Sequence, residues 1–251
     1  MRLAHIHLAG LTRYTCAAEL QTRLLDRFHA HKADPSKYPL PDATILTAEF
    51  HPVYTCGRRE IGKVRPEQME YLKAGGKAEF REASRGGQTT FHGPGQLVAY
   101  PILDLKSHGK GTSPRDYVCK LEGVIIKTCR NFGIETERTE HTGVWTKGHS
   151  RTEGTVGQKK IAALGVHMRR NITSHGIGLN VNTDLWWFRR IVACGLDGRL
   201  TTSFATEGVE HITVSEAAEV FVRQMAETLD VKDIYKPYKD SVKGSVAHER
   251  I

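Results

Sequence analysis

Cys194 ends the apolar run Arg190-Ile191-Val192-Ala193-Cys194 and stands directly before Gly195. A thiol at such a turn can open onto a pocket while backbone N–H groups point past it. Those conditions favour the thiolate and can hold an oxyanion. A buried, inert cysteine is the other reading of the same residues. Lys160 heads a small, apolar stretch, Lys160-Ile161-Ala162-Ala163-Leu164-Gly165. It is either a strand end that snorkels to water, with Lys159 as an equally good surface residue, or a cation placed for use. An ammonium beside a cysteine would favour the thiolate, and an amine in that place can pass protons. Among thirteen histidines, His92 and His175 stand out because glycine follows each. They lack metal-ligand spacing such as HExxH, so they read as groups that polarise a carbonyl or hold a loop.

The densest signal is Arg85-Gly86-Gly87-Gln88-Thr89-Thr90-Phe91-His92-Gly93-Pro94-Gly95-Gln96, four glycines in twelve residues. Such a segment can form a pocket floor that a ligand approaches without a Cβ in the way, or a tight hairpin whose glycines only make the turn. It lacks a GxxxxGK[ST] phosphate loop, and Gly93-Pro94-Gly95 lacks the third glycine of a dinucleotide fingerprint. Without a GxSxG elbow either, the chemistry reads as nucleotide-free and cysteine-centred.

The elements that must position these residues are legible in part. Ala17, Leu20, Leu24 and Phe28 recur at helical spacing. Ser113-Pro114-Arg115-Asp116 and Thr213-Val214-Ser215-Glu216 are helix starts with capping residues, followed by apolar stripes. Strand-like runs cover 2–8, 43–50, 96–103, 143–146, 160–168 and 175–181, and the short links within 143–182 predict antiparallel pairing. The pattern is α+β around a mixed/antiparallel sheet flanked by helices: one domain over 1–251, loop insertions near 32–41 and 147–158, and a lysine-rich, weakly periodic tail from about 232 that is expected to be flexible.

Composition limits the function classes. Thirty-six Lys+Arg against 28 Asp+Glu give a net charge of +8, which favours acidic partners. The basic residues are scattered and not interleaved with aromatics, so nucleic acid is not expected. No run approaches the roughly 18 apolar residues of a membrane span. Five cysteines without a CxxC pair argue for a reducing compartment and against a disulfide framework or zinc ribbon.

Five segments together resemble the lipoyl(octanoyl) transferase family, octanoyl-[acyl carrier protein]:protein N-octanoyltransferases. They are Arg85 to Gln96 with Tyr100 to Leu105, Gly143 to Trp145, Lys160 to Gly165, His175 to Asn182, and Ala193 to Gly195, in family order over roughly residues 43–205. The resemblance implies a catalytic domain of the biotin/lipoate-protein-ligase type with a Cys/Lys dyad. Cys194 would be the acyl-accepting nucleophile and Lys160 its proton-shuttling partner. The substrate would lie against Arg85, Gly86, Gly87, Gln88, Thr89, Thr90, Phe91 and His92, against Ala163, Leu164 and Gly165, and against His175, Gly176, Ile177 and Gly178. His92 would be one candidate oxyanion donor beside the backbone amides. Phe91 departs from the usual tyrosine, and Gly178 from the usual alanine, which should loosen one wall.

The implied donor is octanoyl-acyl carrier protein. The implied acceptors are the lipoyl domains of 2-oxoacid dehydrogenase complexes and the glycine cleavage H protein, with no cofactor, no metal, no membrane and a monomer. Eukaryotic members are mitochondrial, and a bacterial one would be cytoplasmic. Two other readings compete: an ATP-dependent lipoate or biotin ligase on the same fold, and a non-catalytic module that binds lipoyl domains or carrier protein.

Overall fold

A computed structural model describes residues 1–108, 111–147, 157–191 and 201–237, so Cys194 lies outside the described residues, as do parts of the 147–158 insertion and of the tail. The strands are β1 (Arg2–Thr12), β2 (Ala43–Phe50), β3 (Val53–Cys56), β4 (Glu79–Glu82), β5 (Thr90–His92), β6 (Gln96–Ile102), β7 (Thr136–Glu137), β8 (Val144–Thr146), β9 (Lys160–Arg169), β10 (Ile172–Asn180) and β11 (Asp233–Tyr235). The helices are α1 (Tyr14–Ala33), α2 (Pro66–Lys73), α3 (Pro114–Asn131) and α4 (Val214–Thr228), with a short 3-10 turn at Leu185–Arg190.

Eight strands form one mixed sheet in the order β11-β1-β2-β6-β10-β9-β8-β7. β1 pairs parallel with β2 and β11, and the rest of the ladder is antiparallel, including the whole 144–180 stretch. Strand alternation sends neighbouring side chains to opposite faces. Ile45, Leu97 and Ala99 join the core under α3 and α4, while Leu46, Val98 and Tyr100 join the cluster under α1. Helices therefore cover both faces, which is why β2, β6 and β10 are buried along almost their whole length. The caps are as the sequence indicates. The Ser113 hydroxyl accepts from the Asp116 N–H, and Thr213 and Glu216 complete a reciprocal capping box.

A second sheet, β4-β3-β5, was not anticipated from the sequence, nor was α2. Its strands are three or four residues long, too short for an alternation to register. This small sheet decides between the two readings of the glycine-rich segment. β5 pairs with β3, whereas β6 pairs with β2 and β10, so residues 93–95 carry the chain from one sheet to the other and make no hairpin. Gly95 takes φ +79°, and a Cβ there would lie 2.4 Å from Asn182 Oδ1. Its carbonyl accepts from the N–H groups of Val181 and Asn182 and from the Thr183 hydroxyl. Only glycine meets both demands.

Candidate active site

The paired strands β9 and β10 form a floor of small residues, with Gly178 opposite Ala163, Ile177 opposite Leu164 and Gly176 opposite Gly165. The segment after β4 lies over this floor, anchored by the Gly86 N–H on the Val166 carbonyl at 3.0 Å. Between them is a cavity of about 510 Å³, counted to its open mouth, walled by Gly87, Gln88, Thr89, Thr90, His92, Tyr14, Thr55, Arg85, Tyr100 and His175 as well as the floor. The glycines are there for approach. A Cβ at Gly165 would stand 2.9 Å from the Gly86 carbonyl oxygen, and one at Gly176 would collide with the Ala99 carbonyl. The sequence-predicted substrate residues are thus brought to one place, with two exceptions. Gly86 is not in the lining, and neither is Phe91. The Phe91 ring stacks on Trp187 at 5.0 Å and packs against Tyr54, behind the wall.

Arg85 is a fully engaged buried cation. Its Nε and Nη2 donate to Thr55, and its Nη1 donates to the carbonyls of Gly86 and Gln88 at 2.9 Å each. No carboxylate among the described residues pairs with it, so its role is to clamp the 85–88 turn onto β3 and to lend the cavity a positive field. Burial and that field together push the His92 imidazole down to about 4 and His175 to about 3, so both rings are neutral near pH 7.

A chain of hydrogen bonds fixes the His92 tautomer. The Asn180 amide N–H donates to the Thr202 carbonyl at 2.9 Å, so Asn180 Oδ1 accepts from Gln96 Nε2 at 2.8 Å. Gln96 Oε1 is then an acceptor, and His92 Nδ1 must carry the proton in their 2.6 Å bond. The remaining nitrogen, Nε2, holds a lone pair. A neutral ring of that tautomer offers an acceptor rather than a donor, unlike the oxyanion donor the sequence suggested. Gly178 belongs to this arrangement: a methyl there would meet Gln96 Oε1 at 2.9 Å and disturb the pair.

Lys160 lies in an adjoining recess that shares Thr89, Thr90, Ala163 and Gly178 with the cavity and adds Gln96, Asn180, Phe188, Ile191 and Thr201. It is buried, as is Lys159, which approaches Glu207 at 4.0 Å, so neither is a solvated strand end. The Lys160 ammonium donates to the Thr142 carbonyl at 3.2 Å and stands 4.7 Å from the centre of the Trp145 ring. Gly143 makes room for it, since a Cβ there would lie 3.0 Å from Lys160 Cε. The loop that presents Thr142 is itself tied down. Glu122 on α3 accepts from the Gly143 N–H at 3.1 Å, and the Trp145 indole donates to the His141 carbonyl at 3.1 Å.

Removing the buried Glu122 acceptor leaves Gly143 N–H unsatisfied, at about 1–3 kcal/mol. For a domain of this size that is roughly 2–12 °C in melting temperature. Calorimetry should therefore find Glu122→Ala clearly less stable than Glu122→Gln, whose side-chain carbonyl can still accept. Equal melting of the two would show that Glu122 does not hold this loop.

Tyr14 and Thr55 had no signal in the sequence, because one is the first residue of a helix and the other sits in a four-residue strand. Tyr100, Gln96 and Asn180 lie within recognised motifs, but their shared network needs the fold to be seen.

The chain matches the family described as the lipoyl protein ligase A/B catalytic domain over residues 14–226. It is 50% identical over 200 residues to a probable octanoyltransferase of Schizosaccharomyces pombe, covering 79% of this chain and 83% of that one. It is 42% identical over 228 residues to the mitochondrial octanoyl-[acyl-carrier-protein]:protein N-octanoyltransferase of Danio rerio, covering 89% and 92%. In fold it is similar to a bipartite lipoate protein ligase of Thermoplasma acidophilum, with TM-score 0.65 at 15% identity over 96% of this chain and 89% of that one.

Proposed function

The chain belongs to the lipoyl protein ligase A/B catalytic-domain family, and from that premise we propose that it is an octanoyltransferase of protein lipoylation. It takes an octanoyl group from octanoyl-acyl carrier protein and delivers it to protein lysine. We further infer that Cys194 is the nucleophile and Lys160 its partner. The Cys194 thiolate attacks the thioester carbonyl, the carrier's carbon–sulfur bond breaks, and the departing carrier thiolate takes a proton from the Lys160 ammonium. An acceptor lysine amine then attacks the acyl-enzyme. An amide forms, the Cys194 thiolate leaves, and Lys160 recovers a proton from the amine. Thioester exchange is nearly balanced, and amide formation supplies the drive, so the cycle needs no nucleotide.

The observation that carries this reading is a buried lysine fixed beside a glycine-floored slot. The acceptors are lipoyl domains of 2-oxoacid dehydrogenase complexes and the glycine cleavage H protein, and the basic surface suits both these and the carrier, which are commonly acidic. The site of action is the mitochondrion, as for the eukaryotic relatives, and the chain works as a single catalytic domain and a monomer.

The test is intact-mass measurement after mixing the protein with octanoyl-carrier protein. One added octanoyl group is expected without ATP, and none on Cys194→Ser or Cys194→Ala. An adduct that survives in Cys194→Ala, or that requires ATP, overturns the nucleophile and favours a ligase.

A further inference from the structure

The end of the slot away from Lys160 differs in chemistry from its floor. β9 leads from Lys160 to Gly165, and its partner β10 places His175 opposite Val166. Around that end stand Tyr14, Thr55, Arg85, Tyr100 and His175. Tyr14, Tyr100 and His175 are 8%, 5% and 7% exposed.

Two of the four buried tyrosines bond in the ordinary way: Tyr54 donates to the Trp187 carbonyl at 2.6 Å and Tyr117 to the Pro101 carbonyl at 3.5 Å. The hydroxyls of Tyr14 and Tyr100 and the His175 ring make no hydrogen bond among the described residues. They are not sealed in protein either. Thr136 Oγ1 is the one side-chain atom among the described residues that is buried without a partner. All three residues line the cavity, and it is the space the structure offers their polar groups. Buried polar groups without protein partners keep water, or demand a ligand group that replaces it.

The rings are held in place independently of any ligand. Phe50 packs edge-on to both Tyr14 and His92 and against Tyr100, and the His175 ring meets Tyr100 edge to face at 5.5 Å. The His175 backbone is set at φ +56°, with its N–H donating to Gln21 Oε1 at 2.6 Å. Such a residue in mid-strand is a strained conformation that surrounding structure must enforce.

We propose that this hydrated end wall limits acyl-chain length by polarity: a methyl terminus that reaches the Tyr14 and Tyr100 hydroxyls strips their water and gives nothing back. A chain short of the wall leaves that water in place. A chain long enough to touch it is tolerated only if its own terminus can hydrogen-bond. This rests on reading the cavity as the acyl slot, and it assigns to Tyr14 and Tyr100 a specificity role that a merely shaped stop would not need. Burial raises both phenol pKa values, so they stay neutral hydroxyls that can donate or accept.

The experiment uses a saturated donor series on carrier protein, from octanoyl upward in two-carbon steps, plus the ω-hydroxy form of each longer chain. kcat/KM is measured for the wild type, Tyr14→Phe, Tyr100→Phe and the double variant. Ratios between donors on one preparation do not depend on the fraction folded. In the wild type, transfer should fall sharply at the first length that reaches the wall, and the ω-hydroxy form of that length should be favoured over the plain chain. Each single variant should relax the discrimination against that plain chain by about tenfold, the order of one unpaired group, and the double variant by up to about a hundredfold, with the preference for the ω-hydroxy form reversed. Unchanged ratios, no fall with length, or relaxation of plain and ω-hydroxy chains alike would overturn the polar wall, the last pointing to a steric stop. Absence of octanoyl transfer by the wild type would instead sink the reading of the slot, and the wall with it.

Discussion

Lys160→Ala is expected to lower octanoyl transfer by about 10²–10⁴-fold, the range that one positioned acid–base group supplies, while the protein keeps its fold. The argument is geometric. The ammonium is buried at the head of β9, bonded to the Thr142 carbonyl and stacked on Trp145, in a recess that opens into the slot through Thr89, Thr90, Ala163 and Gly178. Lys160→Arg should be nearly as damaging. A guanidinium keeps the charge but cannot release a proton near neutral pH. Single-turnover transfer from octanoyl-carrier protein, with a melting curve on the same preparation, is the measurement. Transfer by Lys160→Ala within tenfold of the wild type, in protein that melts normally, would remove Lys160 from the chemistry.

What the sequence made legible follows the range of the forces involved. Ser113 with Asp116, and Thr213 with Glu216, are signals within one turn, and both caps are in place. The strands 43–50, 96–103 and 160–168 are long enough for composition to mark them, and their antiparallel order from 144 onward follows from link length. The small sheet escaped because β3 and β5 gain their stability from each other and from α2, not from a periodic sequence. The same holds within the site. Arg85 and His92 are conspicuous by type. Their states are not, because three of the Arg85 hydrogen bonds end on Thr55, thirty residues away, and the proton on His92 is decided by a relay through Gln96 and Asn180 to Thr202. Phe91 shows the converse. It sits in the middle of a motif that lines the cavity, yet strand alternation turns its ring to Trp187.

A second large effect should come from a residue that carries no chemistry at all. Gly57 follows β3, and a Cβ built on it would stand 1.9 Å from the Gly87 carbonyl oxygen and 2.8 Å from its carbon. The obstruction is backbone, and that backbone cannot simply swing away. Gly87 holds φ +82°, the carbonyls on either side of it accept from Arg85 Nη1, and the Arg58 N–H donates to the Arg85 carbonyl at 2.9 Å. Gly57→Ala must therefore push the whole 85–88 turn off β3, and Gln88, Thr89 and Thr90 form one wall of the slot just beyond it. Overpacking of this kind costs about 1–3 kcal/mol or more, roughly 2–12 °C in melting temperature at this chain length. Because the displaced turn is also a wall, acyl loading should fall as well. Gly157→Ala is the control, since none of the described residues lies within 4 Å of a Cβ there. Calorimetry and acyl loading should show Gly57→Ala impaired in both and Gly157→Ala in neither. A Gly57→Ala protein that melts and loads like its parent would mean that Arg85 does not clamp the turn, and that the slot's wall is set by something other than the β3 contact.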